Sequence, residues 1–402
     1  MPEQLLEEEL FECAECGAEW RCIEDAEDCC AHRCDSCGSS YHGYDAEDAA
    51  YRCCRYACHD CGTVFDYEDE ANDCCRGGSN DYPALPDVEP YRLSVPSIAG
   101  RPARLCSIEQ ELARGGHAVA QMLYDIGYAE SSTIRNYSYD PAMGTIAVKE
   151  DGSIPYEGGE VVYSRFRLDR DDDVRTLSTA LTKIRQLRDE GIVRSASSCG
   201  VHIHVAARDQ DGNVLSPVAM TALHEIFSFA EDCLFSLAAA GWDRHRQRPS
   251  DGGYCKAIPK IRDGSSPQKV ARLMRRDRYF ALNFQRLLNA AASCSCGAAQ
   301  VGDWTECDCG AFDRGTVEWR IFNTSTKPET LHAWVLLAHA LTALAVSHEV
   351  GTLPTHEYGS TSPEEKWTVL KWILDHAPLL EEEREVIVAA ARRSPGIRVP
   401  RR

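Results

Sequence analysis

Alternating apolar and polar residues mark three segments of the chain as β-strands. The three segments are Arg104–Leu112, Cys199–Val205 and Gly315–Phe322. Because successive side chains of a strand point to opposite faces, residues two apart in each segment share one face. Shorter runs at Gly144–Lys149 and Glu160–Tyr163 predict two further strands. The three longer segments therefore present polar residues in pairs, with both members of a pair on the same strand face.

Helical periodicity occupies much of the remaining sequence. It predicts helices over His117–Ala129, Val218–Ala240, Pro328–Val346, Pro363–Asp375 and Leu379–Arg393. A basic segment, Arg244–Arg262, contains Gly252-Gly253 and is predicted to form a mobile loop over an anionic ligand. Uninterrupted apolar runs stay short of the length that spans a bilayer, so we expect no membrane association.

A change of composition before residue 103 divides the chain into unequal parts. At 402 residues the chain exceeds the usual size of one domain. Residues 77–102 have the glycine, proline and polar content of a linker. We therefore predict a cysteine-rich module at 1–76, a main domain at 103–350 and a helical extension at 351–402.

The module at 1–76 contains three copies of one cysteine pattern. Each copy begins with Cys-x-x-Cys-Gly and ends with two adjacent cysteines, so that the copies span about 13–30, 34–54 and 58–75. Zn²⁺ binds four thiolates in tetrahedral geometry, and each copy predicts one such Cys₄ site. The candidate zinc ligands are Cys13, Cys16, Cys29, Cys30, Cys34, Cys37, Cys53, Cys54, Cys58, Cys61, Cys74 and Cys75.

Two questions about the repeats stay open at the level of sequence. The first cysteine of each doublet is the better ligand, because neighbouring side chains diverge, but His32, His42 or His59 is an alternative ligand. A thioredoxin-like dithiol is the alternative to zinc, although the βαβ pattern that such a fold needs is missing around these cysteines.

The acidic charge of the protein is concentrated in the same part of the chain. The formal net charge is −20, and residues 1–90 contribute 24 acidic and 5 basic side chains, or −19. Such a surface repels a phosphate backbone, so nucleic acid is disfavoured as a partner and cationic partners fit better. Residues 1–10 lack the basic start and apolar stretch of a secretory signal. We therefore expect a cytoplasmic protein, whose reducing compartment favours metal thiolates over disulfides.

A second cysteine cluster lies near residue 300. Cys294-x-Cys296 and Cys307-x-Cys309 are each followed by glycine. Four thiolates at this spacing predict a compact Cys₄ zinc clip at 294–309, inserted where the main domain would otherwise have a loop. We expect a structural role for this zinc, because metal binding stiffens a short loop.

The paired polar residues of the first two long strands support more than one interpretation. Glu109 and Glu111 are ligands for a hard cation or simply a solvated strand face. His202 and His204 can bind zinc, contact phosphate or substrate, or lie on a half-exposed strand. Neither pair distinguishes these possibilities alone.

The third strand and the segment before it add opposite charges. Glu318 and Arg320 share a face, where a metal ion and an anionic substrate can meet, and an ordinary ion pair is the alternative. Arg278 ends a run of arginines and, with Asn283, is a candidate to point inward toward the same site, although such a run is more often a solvated helix face.

The order of these motifs resembles the amidoligase family. In chain order they are Glu109-x-Glu111, Asp151-Gly-Ser with Glu160 downstream, Gly200-x-His202-x-His204, Arg278 with Asn283, and Glu318-x-Arg320. The resemblance covers residues 104–345 and implies an α+β fold with a glutamine synthetase-like antiparallel sheet and packing helices, preceded by the small zinc-stabilised Cys₄ modules. One departure is Glu160–Ser164, which is one residue longer than the family's usual Glu-x-x-Ser.

The resemblance also implies roles for individual residues, with ATP and Mg²⁺ as cofactors beside structural Zn²⁺. The implied Mg²⁺ ligands are Glu109, Glu111, Glu160 and Glu318. The implied cofactor-binding residues are Glu109, Glu111, Glu160, His202, His204 and Asn283. The implied catalytic residues are Glu318, Arg320, His202 and Arg278, of which the arginines would clamp phosphate or carboxylate.

These residue types suit the ATP-dependent joining of a carboxylate to an amine. A carboxylate is inert toward amines until ATP converts it to an acyl phosphate, and cations stabilise the charge of the transferring phosphoryl group. The expected partners are carboxylate and amine substrates, with a peptide or protein as one candidate class. The alternative is a non-catalytic zinc-binding adaptor for protein interactions, built on a ligase-like scaffold.

Overall fold

The computed structural model divides the chain into two compact units, Met1–Pro83 and Ala84–Arg402. In the first unit it describes the backbone of six short strands. In the second unit it describes residues 89–91, 104–154, 157–196, 199–239, 255–261, 265–295, 309–347 and 362–400, together with the single positions 304, 307 and 353. The limits of the domains proposed from the sequence stay a prediction.

The strands described in the first unit form three antiparallel pairs with the same spacing. The pairs are β1 (Phe11–Glu12) with β2 (Glu19–Trp20), β3 (His32–Arg33) with β4 (Ser40–Tyr41), and β5 (Tyr56–Ala57) with β6 (Val64–Phe65). In every pair the second strand begins eight residues after the first, and the sequence between them contains one Cys-x-x-Cys-Gly. The cysteines lie outside the described residues, so their zinc binding stays a prediction.

The second unit has an α+β fold built on one six-stranded antiparallel sheet. The strands are β7 (Arg104–Leu112), β8 (Ile146–Lys149), β9 (Gly159–Arg167), β10 (Gly200–Asp209), β11 (Leu282–Asn283) and β12 (Thr316–Asn323), in the spatial order β11-β12-β10-β7-β9-β8. The predicted α+β class and antiparallel sheet are confirmed, whereas likeness to glutamine synthetase stays a prediction.

Eight α-helices accompany the sheet among the described residues. They are α1 (Gly116–Asp125), α2 (Asp171–Asp189), α3 (Pro217–Ala238), α4 (Pro267–Met274), α5 (Gln285–Ser293), α6 (Pro328–Ser347), α7 (Pro363–His376) and α8 (Glu381–Arg393). Three of them begin with the pair Ser-Pro, in which Ser216, Ser266 and Ser362 accept a hydrogen bond from a backbone N–H of the first turn. Proline fits the next position because its ring presets a helical φ and that position needs no N–H donor.

The two faces of the sheet differ as alternation requires. The apolar face packs against helices, with Trp319 of β12 tilted against Phe227 of α3 and Phe322 stacked on Trp334 of α6. Each of these buried aromatic side chains removes a large apolar area from water, which stabilises the contact between helix and sheet. The opposite face carries the paired polar residues, so the hydrophobic core positions the candidate site without entering it.

Helix α6 is one helix among the described residues with the length and composition of a membrane span. Its apolar window is 89% buried inside the unit, where α3, α8 and the sheet pack around it. This degree of burial is typical of a core helix. The sequence predicts this helix but no membrane span, because polar residues such as His332 and His339 break its apolar run.

Helix α1 ends earlier than the sequence predicts. The apolar periodicity extends to Ala129, but the helix stops at Asp125 and Gly127 adopts φ +77°. This left-handed conformation closes the helix, and glycine adopts it without steric penalty. The predicted helix end was wrong because it followed the apolar periodicity and did not treat Gly127 as the point where the helix stops.

A β-bulge interrupts the pairing between β7 and β9 after Tyr163. Pairing between β7 and β9 shifts so that Cys106 lies opposite Phe166, whereas Ile108 lies opposite Tyr163. Arg165 takes φ +51°, and its backbone N–H donates to the Ser107 hydroxyl at 2.9 Å. The bulge lies beyond Tyr163, and on the other side of that residue Glu160 pairs in regular register with Glu111 of β7.

A buried polar chain fixes the end of β12 to the centre of the sheet. The Tyr163 hydroxyl donates to Gln110 Oε1 at 2.9 Å, and Gln110 Nε2 donates to the carbonyl oxygen of Ser325 at 2.7 Å. Tyr163 and Gln110 are both fully buried. A buried polar chain of this kind is stabilising only while every member keeps its partner.

Replacing Tyr163 with phenylalanine is expected to lower stability by about 1–3 kcal/mol, because Gln110 Oε1 then lies buried without a donor. Thermal unfolding followed by circular dichroism measures the change. Tyr124→Phe is the matched control, because that tyrosine is 50% exposed and its replacement should change stability by less than about 0.5 kcal/mol. Equal midpoints for the two variants would exclude a stabilising role for this chain of hydrogen bonds.

Candidate active site

Strand register brings the paired polar residues onto one face of the sheet. Glu109 lies opposite His202, and Glu111 lies opposite Glu160. His204 lies opposite Glu318, which in turn lies opposite Asn283. Residues directly opposite in antiparallel strands project to the same side. Four strands therefore contribute to a single polar cluster, which we call the carboxylate cluster and define as Glu109, Glu111, Glu160, His202, His204 and Glu318.

The carboxylate cluster is closely packed, and all its members are buried except Glu109, which is half-buried. The exposed fractions of Glu160, His204 and Glu318 are only 5%, 1% and 6%. His202 Nδ1 lies 3.4 Å from Glu109 Oε2, and its Nε2 lies 3.7 Å from Glu111 Oε1. His204 Nε2 lies 3.2 Å from the same Glu109 Oε2. Both imidazoles therefore face carboxylates, as the His-x-His alternation requires.

Glu318 is held from two sides. Asn283 Nδ2 donates to Glu318 Oε2 at 2.8 Å, and the Arg320 guanidinium donates to Glu318 Oε1. Asn283 itself is oriented by Gln285, whose backbone N–H donates to its Oδ1 at 2.8 Å. The rotamer of Glu318 is thus fixed before any ligand binds, which is the arrangement that a preorganised site requires.

Crowding of carboxylates changes their proton affinity unequally. Burial, followed by the neighbouring charges of Glu109 and Asp151, raises the pKa of Glu160 to about 9. Burial also pushes the pKa of Glu109 upward, but the contacts with His204 and His202 outweigh it and hold that pKa well below its usual range. The pKa of Glu318 is likewise lowered, because His204 and Arg320 outweigh its burial. The cluster lacks enough positive charge for all its carboxylates to ionise.

The donor set fits divalent cations. Three overlapping groups bring one ligand atom from each member within 4.8 Å of one another, namely Glu109–Glu160–His202, Glu109–His204–Glu318 and Glu111–Asp151–Glu160. The Nε2 atoms of His202 and His204 are buried without a hydrogen bond to any described residue. A cation would supply the positive charge that Glu160 lacks, and carboxylate oxygens are the ligands that hard cations prefer.

Arg278 lies at the rim, whereas the other sequence-predicted site residues lie in or beside the carboxylate cluster. Its guanidinium is exposed and donates to the Tyr279 hydroxyl at 2.6 Å. The backbone carbonyl of Arg278, rather than its charge, reaches the site, because it accepts a hydrogen bond from Asn283 at 3.0 Å. The expectation that the Arg278 side chain points inward is therefore wrong, and a guanidinium at the rim can contact only a ligand that extends outward.

Two residues that lie outside the implied ligand and catalytic sets also belong to the site. Arg286 in the first turn of α5 places Nη2 3.5 Å from Glu109 Oε1, and no sequence pattern singles it out. Asp151 follows β8 and completes a ligand group with Glu111 and Glu160. The Asp151-Gly-Ser motif in the sequence could have identified Asp151 as a ligand. In the structure the Asp151 carboxylate accepts a hydrogen bond from the backbone N–H of Ser153 at 2.7 Å.

The cysteines near residue 300 converge as the spacing predicts. The Sγ atoms of Cys294, Cys307 and Cys309 lie 3.1–3.5 Å apart, and the three form a group suited to a metal ion. Cys296, the fourth predicted ligand, lies outside the described residues. Three converging thiol groups are a donor set that suits zinc, and zinc binding here stays a prediction. The turn at Ala311–Arg314 then leads directly into β12, so the clip adjoins the strand that carries Glu318.

Comparison with known proteins agrees with part of this assignment. No match was found among curated proteins. Residues 160–342 match the model of a family described as "Putative amidoligase enzyme". The matched segment begins at Glu160 and contains both histidines, Glu318 and Arg320, whereas Glu109 and Glu111 precede it. This match supports the resemblance to the amidoligases, and the segment 160–342 of this chain is similar to a family of ligases.

Proposed function

We propose that this protein is an ATP- and Mg²⁺-dependent ligase that forms an amide or isopeptide bond between a carboxylate and an amine. The observation that carries the proposal is the convergence of four glutamates and two histidines on one sheet face, all of them buried except the half-buried Glu109. Four of these six residues lie in the segment that matches an amidoligase family. Such a concentration of buried carboxylates is costly for folding alone and is typical of a site that binds cations.

In this proposal some residues of the site bind the metal ion, and others bind or position anionic groups. The four glutamates of the carboxylate cluster would bind Mg²⁺, with His202 and His204 as further ligands or as contacts for phosphate. When bound, Mg²⁺ would neutralise charge on phosphate oxygens. Arg320 would bind an anionic oxygen beside Glu318, and Asn283 would keep Glu318 in place for it.

The chemistry follows from what such a site can stabilise. In the first step a substrate carboxylate oxygen attacks the γ-phosphorus of ATP, which forms an acyl phosphate and releases ADP. In the second step the amine nitrogen attacks the acyl carbon, the C–O bond to phosphate breaks, and the nitrogen loses a proton. The site supplies orientation and electrostatic stabilisation, and no covalent protein nucleophile is required.

The three cysteine repeats would serve as a docking module in this proposal. Their acidic sequence suits a basic peptide or protein that carries the amine or the carboxylate. Zinc would stabilise each repeat, because a unit of about 20 residues cannot bury enough apolar surface alone. The clip formed by Cys294, Cys307 and Cys309 would have a structural role beside β12. The whole protein would act in the cytoplasm.

A screen of acid and amine pairs for ADP release in Mg·ATP tests the proposed activity. We expect release that requires both an acid and Mg²⁺, and a loss of about 100-fold or more in His202→Ala, because His202 contacts Glu109 and Glu111. His117→Ala is the matched control, since that histidine is exposed on α1. Equal turnover in the wild type and His202→Ala would argue against the assignment of the site. If Mg·ATP were neither bound nor hydrolysed, a non-catalytic adaptor would be the better description.

A further inference from the structure

A second candidate site lies outside the carboxylate cluster, in a cavity of about 450 Å³. Its walls come from the last turns of α2, the 191–195 segment that follows, and the 324–327 segment between β12 and α6. The cavity has the size of a small-molecule site, which usually occupies about 300–1,000 Å³. Nothing in the proposed ligase reaction assigns a role to it.

Positive charge dominates the lining. Four cationic side chains, Arg185, Arg188, Arg194 and Lys327, line the cavity, and no carboxylate is among the described residues that line it. Asp189 is shared by Arg185 Nε at 2.8 Å and Arg188 Nη1 at 3.4 Å. Arg194 and Lys327 form no ion pair within the described part of the chain. The cavity therefore keeps a net positive charge that an anion would neutralise.

The arginines of the lining suit an oxyanion as the ligand. Guanidinium donors match carboxylate and phosphate oxygens in geometry and charge. Arg185, Arg188 and Arg194 all line the cavity, and together they favour an anionic ligand over a neutral one.

The 324–327 wall is held rigid by contacts with the sheet. The Ser325 hydroxyl accepts from the backbone N–H of Lys327 at 3.2 Å, and the Ser325 carbonyl accepts from Gln110. The Thr324 hydroxyl donates to the Glu111 carbonyl at 2.8 Å, so this wall also adjoins the strand that carries the carboxylate cluster. A preformed wall lowers the entropic cost of binding.

We propose that this cavity binds a small polyanion with two or more oxyanion groups, either carboxylates or phosphates. One inorganic phosphate would leave most of the volume unfilled and engage only part of the cationic lining. A carboxylate is planar and a phosphate is tetrahedral, but the oxygens of both groups accept hydrogen bonds from arginine and lysine. The proposal does not depend on the ligase reaction, because no residue of the carboxylate cluster lines the cavity.

Isothermal titration calorimetry of the full chain, without added divalent cations, tests the proposal with pyrophosphate and tricarballylate as probes. We expect saturable binding of at least one probe, and the probe that binds identifies phosphate or carboxylate as the preferred group. In Arg194→Ala/Lys327→Ala the affinity should fall by about 10-fold or more, because two charge-assisted contacts are lost. Arg188→Ala, which removes a half-exposed side chain, provides a second variant if the double variant does not fold.

Two controls separate this cavity from other sites. Arg175→Ala removes a charge from the same helix at a position that is 71% exposed and outside the lining, and it should bind the probe like the wild type. Glu318→Gln should also bind like the wild type, even if the ligase proposal is wrong. No saturable binding of either probe, or wild-type affinity in the folded cavity variants, would overturn the proposal. A loss of binding in Glu318→Gln alone would assign the anion to the carboxylate cluster instead.

Discussion

Replacing Glu318 with glutamine is expected to lower ADP release by about 100-fold or more while the fold is kept. Glutamine has the same size but carries no charge, so it weakens cation binding and leaves the positive charge of Arg320 without its carboxylate. Asn283 also loses a charged acceptor, although it can still donate to the new amide oxygen. A coupled assay of ADP release at saturating Mg·ATP measures the effect.

A glutamate on the surface provides the matched control for this change. Glu382→Gln makes the same substitution at an exposed position of α8 and should leave turnover unchanged. Circular dichroism of both variants separates a lost ligand from a lost fold. If folded Glu318→Gln retained the turnover of the wild type, Glu318 would not belong to the catalytic machinery, whatever its position in the sheet.

Replacing Gly158 with alanine is expected to give the largest loss of stability, about 3 kcal/mol. A Cβ at this position would overlap the carbonyl oxygen of Leu112 and the Ile154 side chain. Backbone atoms cannot rotate away as a flexible side chain does, so β7 and β9 would have to separate. Because Glu111 and Glu160 lie on these two strands, the proposed ligase activity should fall together with the stability of the fold.

Differential scanning calorimetry is the suitable measurement for Gly158→Ala, with an expected fall of about 5–10 °C in the unfolding temperature. Gly152→Ala is the control, because a Cβ there meets no atom within 4 Å. An unfolding temperature for Gly158→Ala equal to that of Gly152→Ala would contradict the close backbone approach between the ends of β7 and β9.

The sequence predicted the strands of the site because their polar pairs obey a strict period of two. Glu109 with Glu111 and His202 with His204 needed only the alternation of a strand to share a face. These strand predictions depend on local geometry, which the sequence contains directly. The α+β class was implied by the resemblance to the amidoligase family rather than by periodicity.

The remaining features depend on contacts between distant segments. The run of arginines that ends at Arg278 does not reveal which side chain points inward, because that direction depends on how the following strand pairs with β12. Arg286 reaches Glu109 only through the packing of α5. Register and packing of this kind are non-local, so periodicity cannot supply them.

Binding of Mn²⁺ tests the central claim most directly, because Mn²⁺ prefers the same oxygen ligands as Mg²⁺, competes poorly for thiolates and is visible by electron paramagnetic resonance. The titration uses the full chain with a non-hydrolysable ATP analogue. We predict saturable binding in the wild type and an affinity at least about 10-fold lower in Glu109→Gln/Glu160→Gln. The same Mn²⁺ affinity in both proteins, or no binding beyond that of the free nucleotide, would contradict the account.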